Sequence, residues 1–259
     1  LNDDVDEGSQ GKDNQTFNVS LKEINRTSLV AYYPFNGNAN DESGNNRNLT
    51  EYGSIQLTHD RFGNSNSAYL FDGSDDHLIH TDDIPNLNNY TISLWAKANS
   101  SGQWESVFSS RGVSSNDNGF QIDSDTNSNF RVVTKNGDNL NLGKFNLYEW
   151  NLITITADNS LDKTSGYLNG VYVSNVSSVD ATFYFDGFKI GRNRNGDAYF
   201  NGVIDDVKIY NKALSADEIS EIYNSSFSPV ERLYDNLCIS KIELNTISNK
   251  VDNFSVASE

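Results

Sequence analysis

From Leu29 to Tyr210 the chain is written in short apolar or alternating runs, separated by clusters of Asn, Asp, Gly and Ser. The runs fall at 29–35, 67–71, 77–80, 90–97, 118–122, 129–135, 149–157, 166–174, 182–190 and 199–210. Many short strands with turn punctuation predict an all-β sandwich or barrel. In SGYLNGVYVSNV, Asn169-Gly170 between alternating strands is the strongest short hairpin signal. One short helix is predicted after the last strand. Ser215 and Glu218 have the spacing of a capping box, and Leu214 and Ile219 that of a hydrophobic staple. Ile219, Ile222 and Tyr223 then share a face, and the helix is expected to end near Asn224. The flanks lack this pattern. Residues 1–28 read as a polar, acidic tail or linker, and 225–259 as a C-terminal extension with some apolar spacing and no motif.

The last run, NGVIDDVKIYNKAL (201–214), raises a specific question. Side chains on a strand alternate between faces, so unbroken parity puts Val203, Asp205, Val207 and Ile209 together, facing the core. A lone carboxylate among branched apolar side chains is costly to bury unless something pairs with it. Asp205 therefore needs a partner.

Composition narrows the function. The 259 residues hold 19 Lys and Arg against 36 Asp and Glu, a net charge of −17. Nucleic acid and anionic membrane are excluded as partners, because phosphate binding requires clustered Lys and Arg. Cys238 is the only cysteine, so no internal disulfide is possible. No run is long and apolar enough to span a bilayer. No secretory leader is legible, and the chain opens on Leu1 as a mature or trimmed chain would.

Four stretches together resemble a known family: AYYPFNGNANDESGNNRN (31–48), DRFGNSNSAYLFDGSDDHLIH (60–80), YTISLWAKA (90–98) and YFNGVIDDVKIYNKALSADEISEIYN (199–224). They are similar to bacterial laminin-G-like jelly-roll domains of the concanavalin A-like lectin/glucanase group. The resemblance implies a two-sheet antiparallel jelly-roll sandwich over residues 29–224. It implies a secreted or cell-surface setting in bacteria, in a monomer or a module of a larger secreted protein. It also implies a structural calcium where the first and last strands meet. On that pattern Asp205 is tied to the loop after the first strand, whose oxygens come from Asn36, Asn38, Asp41 and Ser43. Calcium takes six to eight such oxygens; the competing reading hydrogen-bonds Asp205 to backbone N–H groups. A second acidic loop, with Asp72, Asp75 and Asp76, offers carboxylates for another cation, but the favoured reading is a tight turn with Gly73 at positive φ.

Candidate chemistry follows. Hydrolysis in related sandwiches uses paired carboxylates on one strand face, and no E-x-D-x-x-E run is present. The expected function is polysaccharide binding, with Trp104, Gln121, Arg131, Lys135 and Tyr199 as ligand contacts. Trp104 lies in a polar loop, whereas Trp95 and Trp150 sit in strands and read as packing residues. Arg131 and Lys135 admit an anionic polysaccharide. The alternative is a lyase acting on a uronate polysaccharide by β-elimination, with His80, Arg131, Lys135 and Tyr199 as base and neutraliser. A third reading is an adhesion module.

Overall fold

The structure, a computed structural model, describes residues 28–81, 84–110, 119–133, 139–177, 183–185 and 187–225. The tails 1–27 and 226–259, with Cys238, lie outside the described residues, as does Lys135. In chain order the strands are β1 (Leu29–Tyr33), β2 (Thr50–Tyr52), β3 (Gln56–Thr58), β4 (Ala68–Asp72), β5 (His77–His80) and β6 (Ile84–Leu87). Then come β7 (Asn89–Ala98), β8 (Ser106–Ser109), β9 (Gln121–Ser124), β10 (Asn129–Val133), β11 (Asn139–Lys144) and β12 (Trp150–Asp158). The series ends with β13 (Lys163–Leu168), β14 (Val171–Ser177), β15 (Phe183–Phe185), β16 (Phe188–Ile190) and β17 (Asn201–Tyr210), before helix α1 (Ala216–Ser225).

Two antiparallel sheets carry the fold. One runs β14-β13-β12-β7-β17-β4-β3, with β1 also paired to β17; the other runs β11-β10-β9-β8-β16-β5-β2. The short strands β6 and β15 pair separately. Alternation along β7 explains how the first sheet buries both faces. Ile92, Leu94, Ala96 and Ala98 enter the main core between the sheets, while Trp95 joins a second cluster with Leu152, Tyr167, Leu214, Ile219 and Ile222. That second cluster is the face α1 covers. The capping box forms as its spacing predicts: Glu218 N–H donates to Ser215 Oγ at 3.2 Å and Ser215 N–H donates to Glu218 Oε2 at 2.9 Å.

The Asn169-Gly170 hairpin joins β13 to β14, with both residues at positive φ (53° and 77°) as a two-residue turn of this kind requires. The run 182–190 is two strands rather than one, β15 and β16, placed in different sheets. β2, β3, β8 and β11 add strands in stretches too short or too polar to stand out in the sequence.

Parity along β17 is broken, and this corrects the expectation for Asp205. Its pairing with β7 slips between Asp205 (opposite Trp95) and Lys208 (opposite Ser93), and Asp206 sits at φ 51°. The extra residue is a β-bulge, which resets the alternation. Ile204, Val207 and Ile209 therefore face the main core, and Asp205 lies on the opposite side with Trp95.

Candidate functional site

The second sheet presents a polar face away from the core. Ile122, Phe130 and Val132 are core residues, so by alternation Gln121, Asp123, Arg131 and Val133 point outward. These four, with Asn139 of β11, form the floor of a cavity of about 430 Å³. One wall is Trp104, from the loop before β8. The other is the loop after β16, which supplies Asn193, Arg194, Asn195 and Asp197.

The floor is a connected network. Asp123 is fully buried and accepts from Arg131 Nε at 2.6 Å and from Gln121 Nε2 at 2.6 Å. Gln121 Oε1 in turn accepts from the backbone N–H of Arg194 at 3.1 Å. Burial pushes the Asp123 carboxyl above its ordinary range, while the Arg131 and Gln121 donors pull against that rise.

Both walls are tied down. Trp104 is 50% exposed, yet its backbone N–H donates to Ser124 O at 2.8 Å. Ser124 Oγ donates to Gly102 O at 2.6 Å, and Ser100 Oγ to Glu105 Oε2 at 2.7 Å. The indole thus projects from a stapled loop, with its own backbone at φ 67°. A bulky residue held in the left-handed region is strained and persists only where its surroundings fix it. Across the cavity Asn193 is 3% exposed and closes the 192–199 loop on itself. Its Oδ1 accepts from the N–H groups of Gly196 (2.8 Å), Asp197 (3.2 Å) and Ala198 (3.3 Å), and its Nδ2 donates to Asp197 Oδ1 at 2.7 Å.

Of the residues expected to contact ligand, the structure gathers Trp104, Gln121 and Arg131 in one cavity. Tyr199 lies outside that cavity, in the loop before β17, with its ring 5.9 Å from His77 and 5.8 Å from the Arg192 guanidinium. His77 stacks on Tyr52 at 4.8 Å, its Nδ1 donates to Asp75 O at 2.7 Å, and Arg192 Nη1 donates to its Nε2 at 3.3 Å. Burial, with a contribution from the Arg192 charge, holds His77 below its ordinary value against the opposing hydrogen bond to Asp75 O. His80 is buried against Phe188, ring to ring at 5.4 Å. The four residues of the lyase expectation are not brought together: His80 is buried against Phe188, Tyr199 is on His77, Arg131 is in the cavity, and Lys135 lies outside the described residues. The sequence reading missed Asn193, Arg194, Asn195, Asp197 and Asn139. The one available signal was GRNRNGD (191–197), a turn-rich stretch with two arginines in an acidic chain.

The two carboxylates among the expected calcium ligands are already engaged by other groups. Asp205 Oδ2 is 2.6 Å from Arg61 Nη1, and Arg61 Nη2 is 2.6 Å from Asp206 Oδ2. The guanidinium lies 4.9 Å over the Trp95 ring and 4.4 Å over Phe62. Burial and the Asp206 charge raise Asp205, with Arg61 opposing; burial also disfavours the Asp206 charge, but Lys208 and Arg61 outweigh it and lower Asp206. Asp41 spends both oxygens in its own loop: Oδ1 accepts from the N–H groups of Tyr32 (3.0 Å) and Ser43 (2.9 Å), and Oδ2 from Ser43 Oγ (2.9 Å) and Arg47 N–H (3.0 Å). Four donors fill a carboxylate's acceptor sites. Asn36, Asn38 and Ser43 line a separate cleft with Tyr32, Glu42 and Lys208. In the second acidic loop, carboxylate oxygens of Asp72, Asp75 and Asp76 lie within 4.8 Å of one another, and Gly73 has the positive φ (79°) its tight turn requires. Asp76 there accepts from Ser54 N–H at 2.8 Å and Asp72 N–H at 3.2 Å.

A family model described as the concanavalin A-like lectin/glucanases superfamily (Laminin_G_3) matches residues 71–220, more than half of the chain. The chain belongs to this superfamily. Solved structures agree with the fold that this superfamily assignment carries. Domain 4 of AbnA, an extracellular arabinanase from Geobacillus stearothermophilus, solved with arabinotriose, superposes with a TM-score of 0.57 at 21% identity, over 76% of this chain and 98% of that one. The receptor-binding domain of botulinum neurotoxin C/D mosaic serotype gives 0.61 at 18% identity, over 78% and 52%. Botulinum neurotoxin type C, whose cell entry depends on interaction with two ganglioside molecules, gives 0.59 at 17% identity, over 78% and 52%. This chain thus spans about half of the neurotoxin chains. A comparison with curated proteins finds no match. Among the described residues no helix is long and apolar enough to cross a membrane.

Proposed function

We propose that this domain binds polysaccharide in the cavity beside Trp104. The observation that carries the reading is a half-exposed indole standing over a preorganised polar floor. Sugars offer an apolar ring face and a rim of hydroxyls. An aromatic side chain with a few fixed donors and acceptors matches both. Because the Trp104 loop and the 192–199 loop are already held by hydrogen bonds, little ordering remains to be paid on binding. The strained Trp104 backbone is of the kind that collects at functional positions. A structural neighbour solved with arabinotriose supports carbohydrate as the ligand class, and its extracellular origin supports a setting outside the bacterial cell.

The reading places no calcium on Asn36, Asn38, Asp41, Ser43 and Asp205. Nor does it carry the lyase forward, because His80, Tyr199 and Arg131 are dispersed. The test is affinity electrophoresis through a panel of plant and algal polysaccharide gels, with each digest assayed for ultraviolet-absorbing unsaturated ends. Retention by at least one polysaccharide, lost in Trp104→Ala and without unsaturated product, supports the reading. Retention that is indifferent to Trp104, or no retention across the panel, contradicts it.

A further inference from the structure

We propose that the ligand of this cavity is an acidic glycan, and that Arg194 and Arg131 receive its sugar carboxylate. The proposal rests on the carbohydrate-binding reading of the same cavity and names the class of sugar.

The argument begins with what the two guanidiniums already hold. Arg131 commits Nε to Asp123, and among the described residues no hydrogen bond engages its two Nη groups. Arg194 commits its backbone N–H to Gln121, but its side chain has Nη1 shielded from solvent with no hydrogen-bond partner. A guanidinium has five N–H donors and no acceptor. Arg194 lines the cavity and, among the described residues, has no ion partner; a carboxylate matches a guanidinium in charge and in planar fork geometry.

The carboxylates already present do not meet that demand. Asp123 is fully buried, and its oxygens are taken by Arg131 and Gln121. Asp197 is on the exposed rim, where one oxygen accepts from Asn193 Nδ2. Two cations and two anions line the cavity, but the only close ion pair among them is Arg131–Asp123. Arg194 is thus left, among the described residues, as a cation without a paired anion. The net charge of −17 disfavours an acidic polymer at long range. That field is screened over roughly 8 Å at physiological ionic strength, whereas a guanidinium–carboxylate contact acts within hydrogen-bond distance. The Asn193 staple and the bond to Gln121 hold the Arg194 backbone beside the cavity.

Uronates and sialates present the same carboxylate, and matched probe pairs separate them. Titration calorimetry would compare hexagalacturonate with its methyl ester, and 3′-sialyllactose with lactose, against the full chain. The expected result is that one acid binds at least about tenfold more tightly than its neutral partner, the scale of one charge-assisted hydrogen bond; the pair that responds identifies the source. Arg194→Gln should erase the preference, Arg194→Lys should keep part of it, and Trp104→Ala should weaken acid and neutral forms alike. Melting temperatures of the Arg194 variants near that of the wild type exclude misfolding as the cause. Acids that bind no better than their neutral partners, acids that do not bind at all, or a preference that survives Arg194→Gln overturns the proposal. Trp104-dependent retention on neutral arabinan would then leave the carbohydrate reading standing, and loss of that retention would remove both.

Discussion

Arg61 is the residue on which the two carboxylates of the last strand depend. Its side chain is 10% exposed and that of Asp205 3%, with their nearest atoms 2.6 Å apart. Removing one partner of a buried pair leaves an uncompensated charge, typically at a cost of about 3–5 kcal/mol. Arg61→Ala should therefore unfold at clearly lower denaturant, with an unchanged m-value. Asp205→Asn should lose stability equally in calcium and in chelator, since its partner is an arginine; a loss seen only with calcium would contradict this. Asp41 gives a pH prediction. Burial disfavours its charge, but the N–H groups of Arg47, Tyr32 and Ser43 outweigh this and hold its carboxyl below the ordinary value. The stability it contributes is full above about pH 4, the unfolded value, and is lost as pH falls through the depressed folded value. Asp41→Asn should flatten the acid limb of a melting-temperature profile; an unchanged limb would assign that limb to other groups. Legibility at this scale was uneven. Trp104 was readable because a tryptophan in a polar loop is unusual. The orientation of Asp205 was not, because the bulge at Asp206 is set by pairing with β7 and by Arg61, 144 positions away in sequence from Asp205.

The elements divide in the same way. α1 was fully legible because its signals are local: the cap, the staple and the buried face all lie within ten positions. Ser215→Ala should cost about 1 kcal/mol, as loss of an N-cap does, measurable by chemical denaturation; no loss would mean that packing on Trp95 and Leu152 alone sets the helix. β7 and β12 were legible by their long apolar runs, whereas β2, β3, β8 and β11 owe their strand state to neighbours already in place. The 192–199 loop was read only as punctuation, although it forms a wall of the cavity. Gly196 shows why its sequence is constrained. It sits at φ 74°, and a Cβ there would stand 1.8 Å from Arg192 Nη2. Gly196→Ala should push Arg192 away, disturb the Asn193 staple and weaken glycan retention more than it lowers the melting temperature. Equal retention would show that this loop does not shape the site.

At the scale of the molecule, the sandwich separates two tasks. The first sheet is buried on one face by the main core and, around Trp95 and Leu152, on the other by α1, and carries stability. The second sheet buries one face and leaves the other polar, and that free face holds the cavity. The sandwich was legible from its alternating runs and its resemblance, which depend on periodicity. The site was legible only in part, because it joins three separate stretches, near 104, 121–139 and 193–197, that pairing alone brings together. The central claim is that glycan binds on this free face. The most direct measurement is backbone hydrogen exchange of the full chain with and without the polysaccharide that retains it. The account predicts added protection in the Trp104 loop and in 192–199, with none in the Tyr32–Lys208 cleft. Protection confined to that cleft, or to the acidic loop at Asp72–Asp76, would contradict it.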